Sequence, residues 1–121
     1  MVVIESMNSK ETCVNVEYSY IYRLTKTNMV LNMEDGINCV QAYGIEAERR
    51  DIIDGIVVNI DREAIKAISP ERHKVHNLLK MLCDNCVSPV HCIDILGEYV
   101  DEYVNDFDCG FENDLANVAM N

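Results

Sequence analysis

The segment MLCDNCVSPVHC, residues 81–92, carries most of the side chains in this sequence that could do chemistry. Cys83 and Cys86 have the C-x-x-C spacing found in zinc sites and in thiol redox centres, and His91 and Cys92 follow closely. Four sulfur and nitrogen ligands would complete a tetrahedral zinc site. The segment therefore has three interpretations: a metal site, a redox centre, or a packed corner between two helices.

The spacing favours the packed corner. His91 and Cys92 are adjacent, so their side chains would diverge by about 100° on a helix. A redox C-x-x-C pair is usually activated at a helix N-terminus, whereas Cys83 and Cys86 lie at the C-terminal end of a predicted helix, where the dipole disfavours a thiolate. Free cysteine packs well as a small hydrophobic residue. Zinc bound by Cys83, Cys86, His91 and Cys92, with Cys109 as a substitute ligand, stays an open alternative.

Two serine–proline pairs, at residues 69–70 and 88–89, predict where the helices on either side of this corner begin. Serine is a good N-cap, and proline suits the first helical position. Apolar residues then recur at helical spacing. In the first helix these are Val75, Leu78, Leu79, Leu82 and Cys86. In the second they are Ile93, Leu96, Val100, Val104 and Phe107, widened by Cys92, Tyr99 and Tyr103. The polar side of the second helix holds Asp94, Glu98, Asp101, Glu102 and Asn105.

The N-terminal half of the chain predicts strands. Alternating apolar residues from Val14 to Leu24 indicate a half-buried strand. A second strand is expected over 39–50, and the Asp54–Gly55 pair predicts a turn before a third strand that begins at residue 56.

The sequence thus predicts an α+β fold, in which an antiparallel meander of about three strands packs against a C-terminal α-hairpin. The expected divisions are a loose N-terminal arm over 1–13, for which an edge strand is the alternative, a single domain over 14–108, and a disordered acidic tail over 109–121.

Charge limits the choice of partners. The chain of 121 residues has a formal net charge of −11, and from Met81 onward it has acidic residues but no lysine or arginine. Because nucleic acid binding requires cations that displace counterions, we expect no nucleic acid partner, and the same argument opposes anionic membranes. It also opposes DNA recognition by the predicted helical corner, whose second helix is acidic.

Known enzyme signatures are missing from the sequence. It contains no glycine-rich phosphate loop, no G-x-S-x-G and no HExxH motif, so we expect no enzyme activity and no cofactor. It also lacks an apolar run long enough to span a bilayer and a recognisable signal peptide. Six cysteines without an export signal indicate a reducing compartment, and hence a cytoplasmic protein.

Three short motifs carry a resemblance to a known group of proteins. They are YGIE at 43–46, IS-x-x-R at 68–72 and VSP-x-H at 87–91. The sequence resembles a family of small uncharacterised clostridial and related Firmicute proteins, over roughly residues 18–106. The resemblance implies a bacterial cytoplasmic protein but no activity. Cys83 and Cys92 stand where that family pattern is mostly aliphatic, which argues against a metal site common to the family.

These observations predict a small non-enzymatic interaction or regulatory protein that acts through protein–protein contacts. The sheet edge or the acidic second helix would meet the partner, and a homodimer is an open alternative. The candidate face on that helix consists of Asp94, Glu98, Asp101, Glu102, Tyr99 and Tyr103. Imitation of nucleic acid by the acidic surface, to inhibit a basic protein, is a further alternative.

Overall fold

The computed structural model of the protein describes the backbone of residues 1–33 and 36–120, and their side chains except at 31–33, 37–38 and 108–120. Four strands come first along the chain and two helices follow. The elements are β1 (Val2–Cys13), β2 (Val16–Met33), β3 (Gly36–Ile53), β4 (Ile56–Ser69), α1 (Arg72–Asp84) and α2 (Pro89–Met120).

The strands form one antiparallel sheet in the order β1-β2-β3-β4. The α+β class is thus confirmed, but the sheet has four strands rather than three. Residues 2–13, for which the sequence predicted a loose arm, form the edge strand β1. The predicted turn is confirmed at Asp54 and Gly55, which both have positive φ, 51° and 79°, as a type I′ hairpin turn requires.

Both helices cover the same face of the sheet, with α1 over β1 and β2, and α2 chiefly over β4. The core between the layers is apolar, and the Tyr22 hydroxyl at its margin donates a hydrogen bond to the Val87 carbonyl at 2.7 Å. This bond fixes the helical corner to the central strand. The core residues are Tyr20, Tyr22, Leu24, Ile45, Ala47, Ile68, Val75, Leu78, Leu79, Leu82, Cys92 and Leu96.

The serine–proline pairs locate one helix start accurately and the other approximately. Helix α2 begins at Pro89, as predicted. Helix α1 begins at Arg72 rather than Pro70, because β4 continues through Ser69 and the Ser69 hydroxyl accepts the Glu71 N–H at 3.0 Å. Neither helix, over the residues described, is both long and apolar enough to cross a bilayer.

The buried side of α2 is shifted toward the edge of the predicted stripe that holds Cys92, Tyr99 and Tyr103. Cys92 and Leu96 are fully buried and Tyr99 and Tyr103 pack against the core, whereas Val104 is 50% exposed. The backbone of α2 is helical through Met120, whereas the sequence predicted a tail from residue 109. The side chains of that predicted tail lie outside the described residues.

Candidate functional site

The outer side of α2 carries four carboxylates, Asp94, Glu98, Asp101 and Glu102, which we call the acidic face. Their spacing of four, three and one residues places them on one side of a helix. All four are exposed. None of them forms an ion pair within the described part of the chain. The acidic face therefore presents its negative charge to solvent without internal compensation.

The two tyrosines predicted for this surface lie on a different side of α2. Tyr99 and Tyr103 are partly buried against the core, with ring centroids 5.9 Å apart. The Lys74 ammonium lies 4.8 Å from the centroid of Tyr103 and 2.7 Å from an Asp106 oxygen. Hydrogen bonds to Asp106 and Glu71 raise the pKa of Lys74. The tyrosines thus brace α2 against α1, while the carboxylates point away from the body.

In the sheet, by contrast, the arginine charges are neutralised locally. Every arginine in the chain lies within ion-pairing distance of a carboxylate. On the face opposite the helices, Glu48 is only 1% exposed because guanidinium groups surround it. Its carboxylate accepts hydrogen bonds from Arg62 and from Arg50, the latter at 2.8 Å, and Arg23 lies at 3.7 Å. We call these four residues the Glu48 cluster.

Two opposing effects act on the pKa of Glu48. Burial alone would raise it, but hydrogen bonds from Arg62 and Arg50 and the nearby positive charges outweigh burial and hold the pKa below its usual value. Glu48 is therefore a carboxylate anion at neutral pH. Both oxygens of the Glu48 carboxylate accept hydrogen bonds from arginines, so the cluster is an ion-pair network that stabilises the sheet.

The cysteine corner is a helix terminus of a defined type. Cys86 has a φ of 48°, the Val87 N–H bonds to the Leu82 carbonyl at 3.1 Å, and the Cys86 N–H bonds to the Cys83 carbonyl at 3.3 Å. This is a Schellman motif, in which glycine usually holds the position that Cys86 occupies here. The chain reverses at this point and Pro89 starts α2.

The thiols of this corner contact two parts of the chain, residues 8–9 of β1 and Val87. The Cys83 thiol is 3.5 Å from the Asn8 carbonyl, the Cys86 thiol is 3.6 Å from the Ser9 hydroxyl, and the Cys92 thiol is 3.6 Å from the Val87 carbonyl. The ring of the fourth predicted ligand, His91, instead meets the Ser88 hydroxyl at 3.1 Å. Within the described residues, no group of three or more histidine, cysteine or carboxylate side chains is arranged to hold a metal ion.

Burial also makes two of these thiols poor nucleophiles. It raises the pKa of Cys92 to about 12, and it raises the pKa of Cys83 as well. The raised pKa values oppose thiolate chemistry at Cys83 and Cys92.

A shallow groove of about 550 Å³ runs beside the corner, lined by Tyr20, Cys86 and His91 among others.

Two surface features of the sheet were not predicted from the sequence. The Glu48 cluster draws its residues from three strands, and only the run ERRD at 48–51 hints at it. An exposed apolar edge at the start of β4 is the second. Its signal is the segment IVVNI at 56–60, where apolar residues occupy both parities of a strand at the edge of the sheet.

Comparison with known proteins adds a family but no activity. The chain belongs to a family of unknown function (DUF6514), which matches residues 1–102. The matched region includes the whole sheet, α1 and the acidic face. No curated protein matches the chain. No solved structure matches it either.

Proposed function

We propose that this protein is a small, non-enzymatic binding protein that contacts a basic protein partner through the acidic face of α2. One observation carries the proposal: the acidic face is uncompensated, whereas the arginines of the sheet are all paired with carboxylates. Complementary charge of this kind speeds association and selects partners. A cytoplasmic location in a clostridial or related host, which the sequence motifs suggest, is part of the proposal.

The rigidity of α2 supports this role. Its inner side is held by buried Leu96, by Tyr103 stacked under Lys74, and by the ion pair between Lys74 and Asp106. Because the backbone of α2 is held in place, little backbone entropy is lost when a partner binds. The long-range field of the face would act most strongly at low ionic strength, with a Debye length of about 10 Å at 0.1 M salt.

Neutralisation of charge on the acidic face tests the proposal. The double variant Glu98→Gln/Glu102→Gln removes two exposed, unpaired charges from the face. Its matched control is Glu63→Gln/Asp84→Asn, which removes two exposed carboxylates that have no ion pair in the described chain and lie off the face. Both variants and the native chain would be used as bait in crosslinked pull-downs from the host, at low and high salt.

We expect the native chain and the control to retain the same basic partner at low salt, and the face variant to lose it. Equal retention by all three baits, or loss only in the control, would contradict the assignment to the acidic face. Failure to retain any partner in repeated crosslinked pull-downs would remove the basis for a binding protein.

Competition by duplex DNA separates a nucleic-acid mimic from an ordinary acidic contact. If the retained partner is a DNA-binding protein and DNA displaces it, the acidic face acts as a mimic. If DNA has no effect, the partner uses a site of its own for this protein. The zinc-stabilised module has less support, because no group of three or more potential ligand side chains is arranged to hold a metal ion among the described residues.

A further inference from the structure

The groove beside the helical corner is lined largely by apolar side chains. It lies where β2, the corner and the start of α2 meet, and Tyr20, only 4% exposed, is the most deeply buried of its lining residues. The side chains of Cys86, Val87 and Ile95 are partly exposed along it. Its volume of about 550 Å³ is in the range of ligand sites, about 300–1,000 Å³. Because the groove is shallow, it suits a side chain that enters from a partner's surface better than an enclosed small molecule.

The charges at this groove are negative. Asp94 lines the groove and is also the first carboxylate of the acidic face. It is exposed and has no ion pair within the described chain. Glu11 lies next to the groove, because its carboxylate accepts a hydrogen bond from the Tyr20 hydroxyl at 3.2 Å. Among the described residues that line the groove, none is lysine or arginine.

The end of α1 adds to this negative potential. The C-terminus of a helix carries a partial charge equivalent to about half a negative elementary charge. Residues 85–88, which follow α1 directly, line the groove. The last turn of α1 contains Asp84 and no basic residue that would offset this charge. A cation in the groove would therefore be attracted by Asp94, by Glu11 and by the end of α1 together.

We propose that this groove receives an arginine side chain of the basic partner. Arginine combines an apolar methylene chain with a charged planar end, which matches an apolar groove beside a carboxylate. The guanidinium group would pair with Asp94 through two hydrogen bonds, while the methylene groups would pack against Val87 and Ile95. The inference rests on the proposed function, because it names the side chain by which the partner of the acidic face is recognised.

Arginine fits this position better than lysine. Its guanidinium group binds a carboxylate through two parallel hydrogen bonds and is more weakly hydrated than an ammonium group, so partial desolvation costs less. Arginine is also enriched at protein interfaces, where lysine is depleted. Glu98 follows Asp94 by four residues, about 6 Å along the helix axis, so further cations of the partner would contact the rest of the acidic face.

A small probe tests the groove without the partner. The probe is N-acetyl-arginine amide, which is added to the full isotope-labelled chain and followed by NMR. The titration is made at pH 8, where histidine side chains are generally neutral, because His91 is the one described lining residue able to carry positive charge. We expect chemical-shift changes at residue 20 and at residues 85–95. The lysine analogue should bind several-fold more weakly, and the uncharged norleucine analogue should not bind.

Two charge variants separate the groove from the general field of the acidic face. Asp94→Asn removes the carboxylate that lines the groove, and it should weaken probe binding about fivefold, as expected on loss of one exposed ion pair. The matched control is Asp101→Asn, which removes the same charge from a part of the acidic face that does not line the groove. It should weaken probe binding by less than about twofold, because exposed charges at a distance are screened by salt.

A variant that fills the groove connects this site to the partner. His91→Trp places a large ring at an exposed position of the groove and leaves every carboxylate of the acidic face in place. Val90→Trp is the matched control, since it adds the same ring at a neighbouring position that is 62% exposed and does not line the groove. In the crosslinked pull-down, His91→Trp should lose the partner that the native chain and the control retain. Circular dichroism would establish that both variants keep the native fold.

Several results would overturn this inference. Equal weakening of probe binding by Asp94→Asn and Asp101→Asn would show that only the general field acts on the probe. Equal binding of the lysine or the norleucine analogue would contradict recognition of arginine. Retention of the partner by His91→Trp would exclude the groove but leave the acidic face as the contact. If the native chain retained no partner, the proposed function would fail, and the probe titration would still decide whether the groove binds arginine.

Discussion

Removing the charge of Glu48 should destabilise the sheet far more than removing that of its neighbour Glu46. Glu48→Gln keeps the size of the side chain but leaves Arg23, Arg50 and Arg62 without their shared anion. Glu46→Gln is the matched control, because Glu46 lies on the same face of β3 and pairs only with Arg23, at 2.6 Å. Both substitutions change the net charge equally.

The magnitude follows from burial and from the number of partners. Loss of one member of a fully buried ion pair costs about 3–5 kcal/mol, whereas an exposed pair contributes about 0–1 kcal/mol. Glu48 is 1% exposed, but its partners Arg50 and Arg62 have side chains that are 40% and 61% exposed and are screened by water. We therefore expect Glu48→Gln to lower the free energy of unfolding by about 2–3 kcal/mol, and Glu46→Gln, which breaks one partly buried pair with Arg23, by about 1 kcal/mol.

Urea unfolding at neutral and at acidic pH measures this difference. The chain has no tryptophan, so circular dichroism and tyrosine fluorescence are the signals. The pKa of Glu48 is lowered in the folded state, so its contribution to stability is present above the unfolded pKa of about 4.3 and is lost as pH falls through the folded pKa. The gap between the native chain and Glu48→Gln should consequently narrow in acid.

The outcome that would refute this reasoning is equal destabilisation by the two substitutions at pH 7. A gap that stays constant down to acidic pH would equally show that the carboxylate charge is not the source of the effect. In that case the arginine side chains would be held mainly by packing of their methylene groups. The ion pairs of Glu48 would then contribute little to the free energy of unfolding.

Two further predictions concern glycine and cysteine. Gly44→Ala should unfold or strongly destabilise the protein, because the added Cβ would collide with the backbone carbonyl groups of Ile65 and Lys66. At Gly97 an added Cβ meets open space, so Gly97→Ala should stabilise α2 by up to about 1 kcal/mol. Thermal unfolding compares the two variants, and similar melting temperatures would contradict the close approach of β3 and β4. Exposed Cys13 should react at once with a thiol reagent at pH 8. Burial raises the pKa of Cys92 to about 12, so Cys92 should react only when the protein unfolds. Rapid labelling of Cys92 in the folded protein would contradict its burial.

The parts of the fold that could be predicted are the elements that pack one face against the core and leave the other face more polar. Strand β2 alternates cleanly because Tyr20, Tyr22 and Leu24 face the helices, while the opposite parity lies on the other face of the sheet. The helical corner was predictable because a serine–proline pair is a local signal for a helix start, and the Ser88 carbonyl accepts a helical hydrogen bond from the Cys92 N–H at 2.9 Å. Strand β1 was expected only as the alternative to a loose arm, since only its partly buried residues meet α1 and both of its faces are largely polar.

Features that depend on several strands could not be predicted from local patterns. The Glu48 cluster needs the registry that sets Glu48 opposite Arg62 and between Arg23 and Arg50, and this registry is a property of the folded sheet. The orientation of α2 is similar. Helical periodicity permits more than one apolar stripe, and packing of Cys92 and Leu96 against the core selected the one that turns Tyr99 and Tyr103 inward.

The sequential order of the strands has a consequence for how this chain reaches its fold. Each strand pairs with the next one along the chain, so every ladder can begin at a hairpin, where closing the loop costs little entropy. The sheet can therefore form early and from either end. Distant contacts, such as those of Glu5 with Arg72 and His76, close only when α1 docks on β1. Docking of the helical layer is thus the step expected to limit the folding rate, because it alone joins the two ends of the domain.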